Sequence, residues 1–351
     1  MRICAVWKGG GLRRVPSAAA LFACTVAAVA CAGASPAQAG TPLQHYDITA
    51  DYVAGLSSGA AEAVQFQVAY SATFKGLAFF GGAPYDCAQD NTVRAEDTCT
   101  SAGPPPNLAQ LYTVTDQWSS AGLIDPTSDL AGKPVYEWHG TQDKTVAAPV
   151  ANNAAAFLRH YGADVTYVNN VPSGHGWISP LGPVPCKDTT TPYLNNCGID
   201  AEHSFLSMWL GSVNPPNGAA PTGQMIQFDQ NLYSPGGNAA SAGLGPHGYE
   251  YVPRSCAAGA RCRLVLALHG CAQSTSTGHV GDAFIDDTYL NQYADINDLV
   301  ILYPQVSSAD KGSNPLGCWD WWGYLANDSH YAQKSGAQMS AVMAMIHASG
   351  G

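Results

Sequence analysis

Two unbroken apolar runs, Leu264 to Leu268 and Leu299 to Tyr303, limit what this chain can fold into more than any other feature. A strand with no polar alternation must be covered on both faces, the condition met in a parallel sheet flanked by helices. Elsewhere short strand-like runs alternate with helix-like segments, the pattern of an α/β domain. Tyr46 to Ala54, Gly76 to Phe80, Val135 to Trp138 and Val165 to Val168 read as strands. Gly59 to Tyr70, Val146 to Tyr161, Ala201 to Leu210 and Ala337 to His347 read as helices. Met225 to Phe228 and Tyr249 to Val252 suggest an antiparallel entry to the sheet. The expected fold class is therefore α/β, a mostly parallel sheet flanked by helices in a single domain. Val213 to Gly223, reading VNPPNGAAPTG, is the clear linker, too rich in Pro and Gly for a helix or strand interior.

The first 39 residues read differently. Lys8, Arg13 and Arg14 make a basic n-region, Ala18 to Cys31 a run of small and apolar residues, and Ala37-Gln38-Ala39 a signal-peptidase site. The run is shorter than the roughly 20 residues that span a bilayer. Residues 1–39 are therefore expected to be a secretory signal peptide, and residues 40–351 a secreted, extracellular domain. Four of the 15 basic residues (Arg2, Lys8, Arg13, Arg14) precede Gly40 and none of the 26 acidic ones do, so the formal charge falls from −11 to −15. An acidic chain with no basic cluster argues against nucleic acid or an anionic membrane as partner.

Of eleven cysteines, Cys4, Cys24 and Cys31 lie in the leader. An even set of eight remains, which in an exported chain points to disulfides. Sequence neighbours suggest Cys87–Cys99, Cys186–Cys197 and Cys256–Cys262, leaving Cys271 and Cys318; spacing alone does not establish that connectivity. No C-x-x-C pair or His/Cys cluster with zinc spacing occurs, so no metal or other cofactor is expected.

The sharpest local motif is Gly55-Leu56-Ser57-Ser58-Gly59, a G-x-S-x-G between a strand-like run and a helix-like one. That setting puts a serine hydroxyl on a strained turn above the sheet. A serine needs a general base oriented by a carboxylate before it attacks an ester. Asp143 in HGTQD follows the strand PVYEW, and His175 in SGHGW follows the strand VTYV, both where strand ends deliver catalytic loops. An Asp before a helical segment also serves as a cap. His139 lies too near the acid and His203 inside a helix, so His175 is the candidate base. The oxyanion donors expected are the N–H of Ser58 and, because His269-Gly270-Cys271 resembles the H-G loop of many esterases, the N–H of Cys271. His269 is expected to shape that loop. The loop follows the serine in the chain, whereas most α/β-hydrolases place it before.

LVLALHGCAQS, LVILYPQ and GCWDWW resemble the N-terminal half of extracellular polyhydroxybutyrate depolymerases and related feruloyl esterases. YVAGLSSGA, HGTQD and GHGW resemble their C-terminal half. The exchanged order is similar to the circularly permuted α/β-hydrolase of fungal-type poly(3-hydroxybutyrate) depolymerases, a single domain without a separate polymer-binding module. The resemblance covers essentially all of residues 40–351. In it the linker 213–223 joins the ancestral ends, and the new ends lie between the last helix and the first strand. It implies Ser57, Asp143 and His175 as triad, Ser58 and Cys271 as oxyanion donors, and a Cys271–Cys318 disulfide bracing the oxyanion loop against the tryptophan-bearing loop. Trp319, Trp321 and Trp322 then form an apolar rim for a polyester chain, with at least one expected in the core. The implied protein is a monomeric serine esterase acting on water-insoluble polyester or its oligomers. A feruloyl or acetylxylan esterase would share the triad, and a catalytically silent polymer-binding protein would share the aromatics.

Overall fold

A computed structural model describes residues 40–351 except 102, 309–313 and 326–329. The leader expected over residues 1–39 lies outside the described residues. In chain order the strands are β1 (Ile48–Leu56), β2 (Phe74–Phe80), β3 (Pro134–Trp138), β4 (Asp164–Val168), β5 (Trp177–Ile178), β6 (Val184–Pro185), β7 (Leu194–Asn196), β8 (Gln224–Asp229), β9 (His247–Val252), β10 (Cys262–Leu268) and β11 (Leu299–Tyr303). Eight of them form one sheet in the order β4-β3-β2-β1-β10-β11-β9-β8. Neighbours from β4 to β11 run parallel, and β9 and β8 close one edge antiparallel.

The two unbroken apolar runs, in β10 and β11, lie side by side inside the sheet, as their lack of a polar face requires, and β1 flanks β10 at the centre. Val53, Ala54 and Leu56 of β1 and Leu264 to Leu268 of β10 are all fully buried. Their parallel register pairs Gly55 with Leu268, so both strands end at one level. Ser57 and His269 therefore leave the sheet side by side. That single register brings the serine turn and the H-G loop together.

Helices cover both faces. Ser58–Ala69, Ala148–His160 and Ala337–Ser349 pack on one side around Phe66, Phe157 and Met345. Ala201–Leu210 and Leu290–Asn297 cover the other around Trp177, Phe205 and Tyr293. The helix Ser58–Ala69 is buried along its whole length, and Ala60, Ala61 and Ala63 let it lie close to the strands. β5, β7 and β6 make a small parallel sheet of their own after His175.

The cysteines pair as Cys87–Cys99, Cys186–Cys197, Cys256–Cys262 and Cys271–Cys318, the pairings suggested by their neighbours and by the family resemblance. Segment 213–223 has no regular structure but is tied at both ends to the helix Leu290–Asn297. Asn297 Oδ1 accepts the Asn214 N–H at 2.8 Å, and Asp295 accepts the Thr222 and Gly223 N–H groups at 3.0 and 2.8 Å. At the other side of the molecule's chain order, the Tyr46 N–H donates to the Ser349 carbonyl at 2.9 Å, so the two ends of the described domain meet.

Candidate active site

Ser57 occupies the turn between β1 and the helix Ser58–Ala69 at φ 57°, ψ −118°. A non-glycine residue adopts that conformation only where its surroundings impose it. Here the Ser57 N–H donates to the Phe80 carbonyl and its own carbonyl accepts from Ala61, both at 2.9 Å. The flanking glycines are steric necessities. A Cβ on Gly55 would lie 2.0 Å from the Gly59 carbonyl oxygen, and one on Gly59 would lie 2.3 Å from that of Leu268. The pentapeptide spacing thus follows from a helix starting directly against two strand ends.

β3 and β4 deliver the other two residues. His175 Nδ1 lies 2.7 Å from Asp143 Oδ2, with both side chains almost fully buried. Asp143 Oδ1 meanwhile accepts the Thr145 and Val146 N–H groups at 2.8 and 3.0 Å. The carboxylate therefore closes a turn with one oxygen and holds the imidazole with the other. Burial alone would raise the Asp143 carboxyl. The hydrogen bond and charge of His175, with the two backbone N–H groups, outweigh it and hold the group below the usual carboxylate range. With Nδ1 committed to the acid, His175 Nε2 is left as the basic nitrogen, buried and without a hydrogen-bond partner among the described residues. The rival histidines are elsewhere engaged or placed: His139 Nε2 bonds the Val146 carbonyl at 2.9 Å, and His203 is exposed on its helix.

Ser57, Ser58, His175, Gly270 and Cys271 all line one cavity of about 380 Å³. The Ser58 N–H is the first of its helix and has no carbonyl four residues back. Neither it nor the Cys271 N–H has an acceptor among the described residues. His269 shapes the loop as expected. Its Nε2 accepts the Val306 N–H at 3.2 Å, so Nδ1 carries the proton and donates to the Gly270 carbonyl at 2.7 Å. Burial pushes this imidazole down to about 4, keeping it neutral.

The tryptophans divide. Trp321 lines the cavity. Trp319, one of the three offered for the rim, is the one in the core: it is fully buried, its indole N–H donating to the His269 carbonyl at 2.9 Å. Its size is spent on supporting the loop from below. Trp322 is half-buried, edge-on to Trp321 at 5.5 Å and outside the cavity lining.

Two contributors were not anticipated. Gly81, at φ 60°, lies beneath the pair: a Cβ there would sit 2.9 Å from the His175 ring and 3.1 Å from Asp143 Oδ2. Its place just after a predicted strand was the available signal. Gln273 is buried, lines the cavity and bonds the H-G loop; nothing in its local sequence distinguishes it. Cys256, Cys262 and Asp298 cluster at metal-like spacing, but both sulfurs are in a disulfide and offer no thiolate.

The mixed sheet with its helix layers, and a buried-strand serine turn beside an Asp–His pair, define an α/β-hydrolase fold. No protein-family model matches the chain. It is 35% identical over 341 residues to a poly(3-hydroxybutyrate) depolymerase of Delftia acidovorans, covering 95% of this chain and 65% of that relative's length. It is 35% identical over 310 residues to a polyhydroxybutyrate depolymerase of Talaromyces funiculosus, covering 84% of this chain and 87% of the relative. Two solved structures superpose with a TM-score of 0.79 at 33% identity, over 88% of this chain and 99% of theirs. One is the PHB depolymerase of Penicillium funiculosum; the other is a serine-to-alanine variant of a PHB depolymerase complexed with an R3HB trimer. The chain belongs to the polyhydroxybutyrate depolymerase family.

Proposed function

We propose that residues 40–351 form a secreted serine esterase that hydrolyses polyhydroxybutyrate-type polyester to 3-hydroxyacid monomers and oligomers. One observation carries the reading: the hydrogen-bonded His175–Asp143 pair opens onto the cavity that Ser57 lines. The trimer bound to a solved relative supports an oligomeric polyester as the ligand.

The chemistry follows from the geometry. His175 Nε2 takes the Ser57 proton as the hydroxyl attacks an ester carbonyl, and Asp143, held ionised, stabilises the imidazolium that forms. The Ser58 and Cys271 N–H groups donate hydrogen bonds to the carbonyl oxygen as negative charge develops on it. His175 then gives its proton to the departing alkoxide, leaving a 3-hydroxyacyl ester on Ser57. Water, activated by the same imidazole, hydrolyses that ester. Trp321 supplies an apolar wall for the chain.

Secretion is supported by the leader-like residues 1–39 and by four disulfides, which persist in oxidising compartments. Among the described residues no helix is long and apolar enough to cross a membrane. A permuted origin is supported by the strand order. Counted from Gln224, the sheet reads first, second, fourth, third, then fifth to eighth. The H-G loop then follows the third strand and precedes the serine, the usual order of these motifs. Residues 213–223 would join the ancestral ends, and the contact of Tyr46 with Ser349 would mark the new ones.

The test is a parallel assay of the secreted protein on polyhydroxybutyrate suspension, a soluble short-chain ester and a feruloyl ester. Clearing of the suspension with release of 3-hydroxybutyrate is expected. Release of ferulate without clearing would select the feruloyl esterase instead.

A further inference from the structure

The cavity continues past its acid–base side. Thr145 and Thr189, which line it, also line an adjoining shallower depression whose other walls are Gln142, Lys144, Lys187, Asp188 and Thr190. Both threonines are bonded to the Asp–His pair. The Thr145 N–H donates to Asp143 Oδ1 at 2.8 Å, and Thr189 Oγ1 accepts the His175 N–H at 2.8 Å. The depression therefore lies on the side of the cleft formed by Asp143 and His175.

Lys144 and Lys187 are exposed there, and neither makes an ion pair or side-chain hydrogen bond among the described residues. Both cations sit beside the cleft of a domain whose formal charge is −15, from eleven basic and 26 acidic residues. Asp188 shares the depression and tempers their field.

The reaction says what they would face. His175 protonates the leaving oxygen, so the alcohol fragment departs on the His175 side. In a 3-hydroxyacid polyester that fragment carries the new hydroxyl at one end and the chain's free carboxylate at the other. A cut one or two units from the carboxylate end leaves this charge a short fragment's length from His175. We propose that Lys144 and Lys187 form a subsite for the terminal carboxylate of polyester oligomers, which favours cutting near that end. The proposal rests on the esterase reading above and adds a binding site to it. With Asp188 alongside and water around the lysines, the subsite holds the carboxylate weakly enough to release the hydroxyacid product.

The experiment compares a 3-hydroxybutyrate trimer as the free acid with the same trimer capped as a terminal methylamide, which keeps the length and removes the charge. The readout is the ratio of kcat/KM for acid over amide, measured on the secreted protein. Each exposed charge pair changes affinity by up to about fivefold. The wild type should favour the acid by about fivefold or more, mainly through KM. The ratio should fall towards one in Lys144→Gln/Lys187→Gln, and in the wild type at about 0.5 M salt. A wild type without preference for the acid, or a ratio unchanged in the double variant, overturns the subsite while leaving the esterase intact. Failure of the wild type to cleave either trimer overturns both readings together.

Discussion

Gln273 Oε1 accepts the Gly270 N–H at 2.6 Å, while its Nε2 donates to the Pro192 carbonyl at 2.6 Å. One buried amide thus ties the H-G loop to the segment that places Tyr193 on the cavity wall. With the Gly270 N–H consumed, the next one along, that of Cys271, is left to face the cavity. Gln273→Met keeps the bulk and loses both bonds, stranding the Gly270 N–H and freeing the loop to turn. We expect kcat to fall by about ten- to a hundredfold with KM changed less than about threefold, the pattern of a weakened oxyanion site. Binding of a boronate mimic of the tetrahedral state should weaken in parallel. Unchanged boronate affinity would show that the amide does not orient the loop.

The Cys271–Cys318 bridge closes a loop of 47 residues next to the same site. Chain entropy alone assigns such a closure about 4 kcal/mol. Replacing both cysteines by alanine should lower the denaturation midpoint accordingly and reduce activity by loosening the loop. Activity should not vanish, because the Cys271 N–H belongs to the backbone and survives. Full stability and full activity in the double variant would contradict the bracing role.

Stability should depend on pH through buried carboxyls outside the Asp–His pair. Glu250 accepts the Ser349 hydroxyl at 2.7 Å, and its other oxygen is buried without a partner. Burial pushes this group up from 4.5 to about 7, and burial raises Asp86 to about 7 as well. The folded state then binds more protons than the unfolded one between those values. The stabilisation is complete below the unfolded pKa and is lost as pH rises through the folded one. Tm should therefore decline from about pH 5 to about pH 8 on this account. Glu250→Gln, which still accepts from Ser349 and cannot ionise, should flatten part of the decline. Asp143 works in the opposite sense, its contribution lost as pH falls through its lowered pKa. An identical slope in the Glu250→Gln protein would rule out Glu250 as a source.

Much of this architecture was legible because the central strands carry unambiguous patterns. Leu299–Tyr303 and Ala201–Leu210 occupy the segments expected, and β1 alone shifts two residues onward because Leu56 still pairs with Phe80 of β2. Gly55 looks like a strand breaker, and pairing with Leu268 of β10 on one side and Phe79 of β2 on the other keeps the chain extended through it. The helix Leu108–Ser120 was not anticipated. It carries Thr113, Val114 and Thr115 in its middle and fully buries only Leu111 and Thr115, so its apolar stripe is faint. β5, β6 and β7 are two or three residues each, defined by their partners and not by any local period.

At the candidate site, Ser57, Asp143 and His175 stand out as candidates because each follows a recognisable strand. Trp319 could not be told from Trp321, since adjacent tryptophans in WDWW share composition and context. Only the bond from its indole to the His269 carbonyl separates a supporting ring from a lining one. Gln273 was invisible for a similar reason: its partners, Gly270 and Pro192, are three and 81 residues away.

The central assignment is Ser57 as nucleophile, and its most direct test is turnover of a 3-hydroxybutyrate trimer by Ser57→Ala. Circular dichroism and the thermal midpoint would show that the variant is folded. Removing the nucleophile of a Ser-His-Asp site costs on the order of 10⁴-fold or more in kcat. Activity at background, with native spectra, is the predicted result. Retention of a tenth of wild-type turnover in a folded Ser57→Ala protein would contradict it.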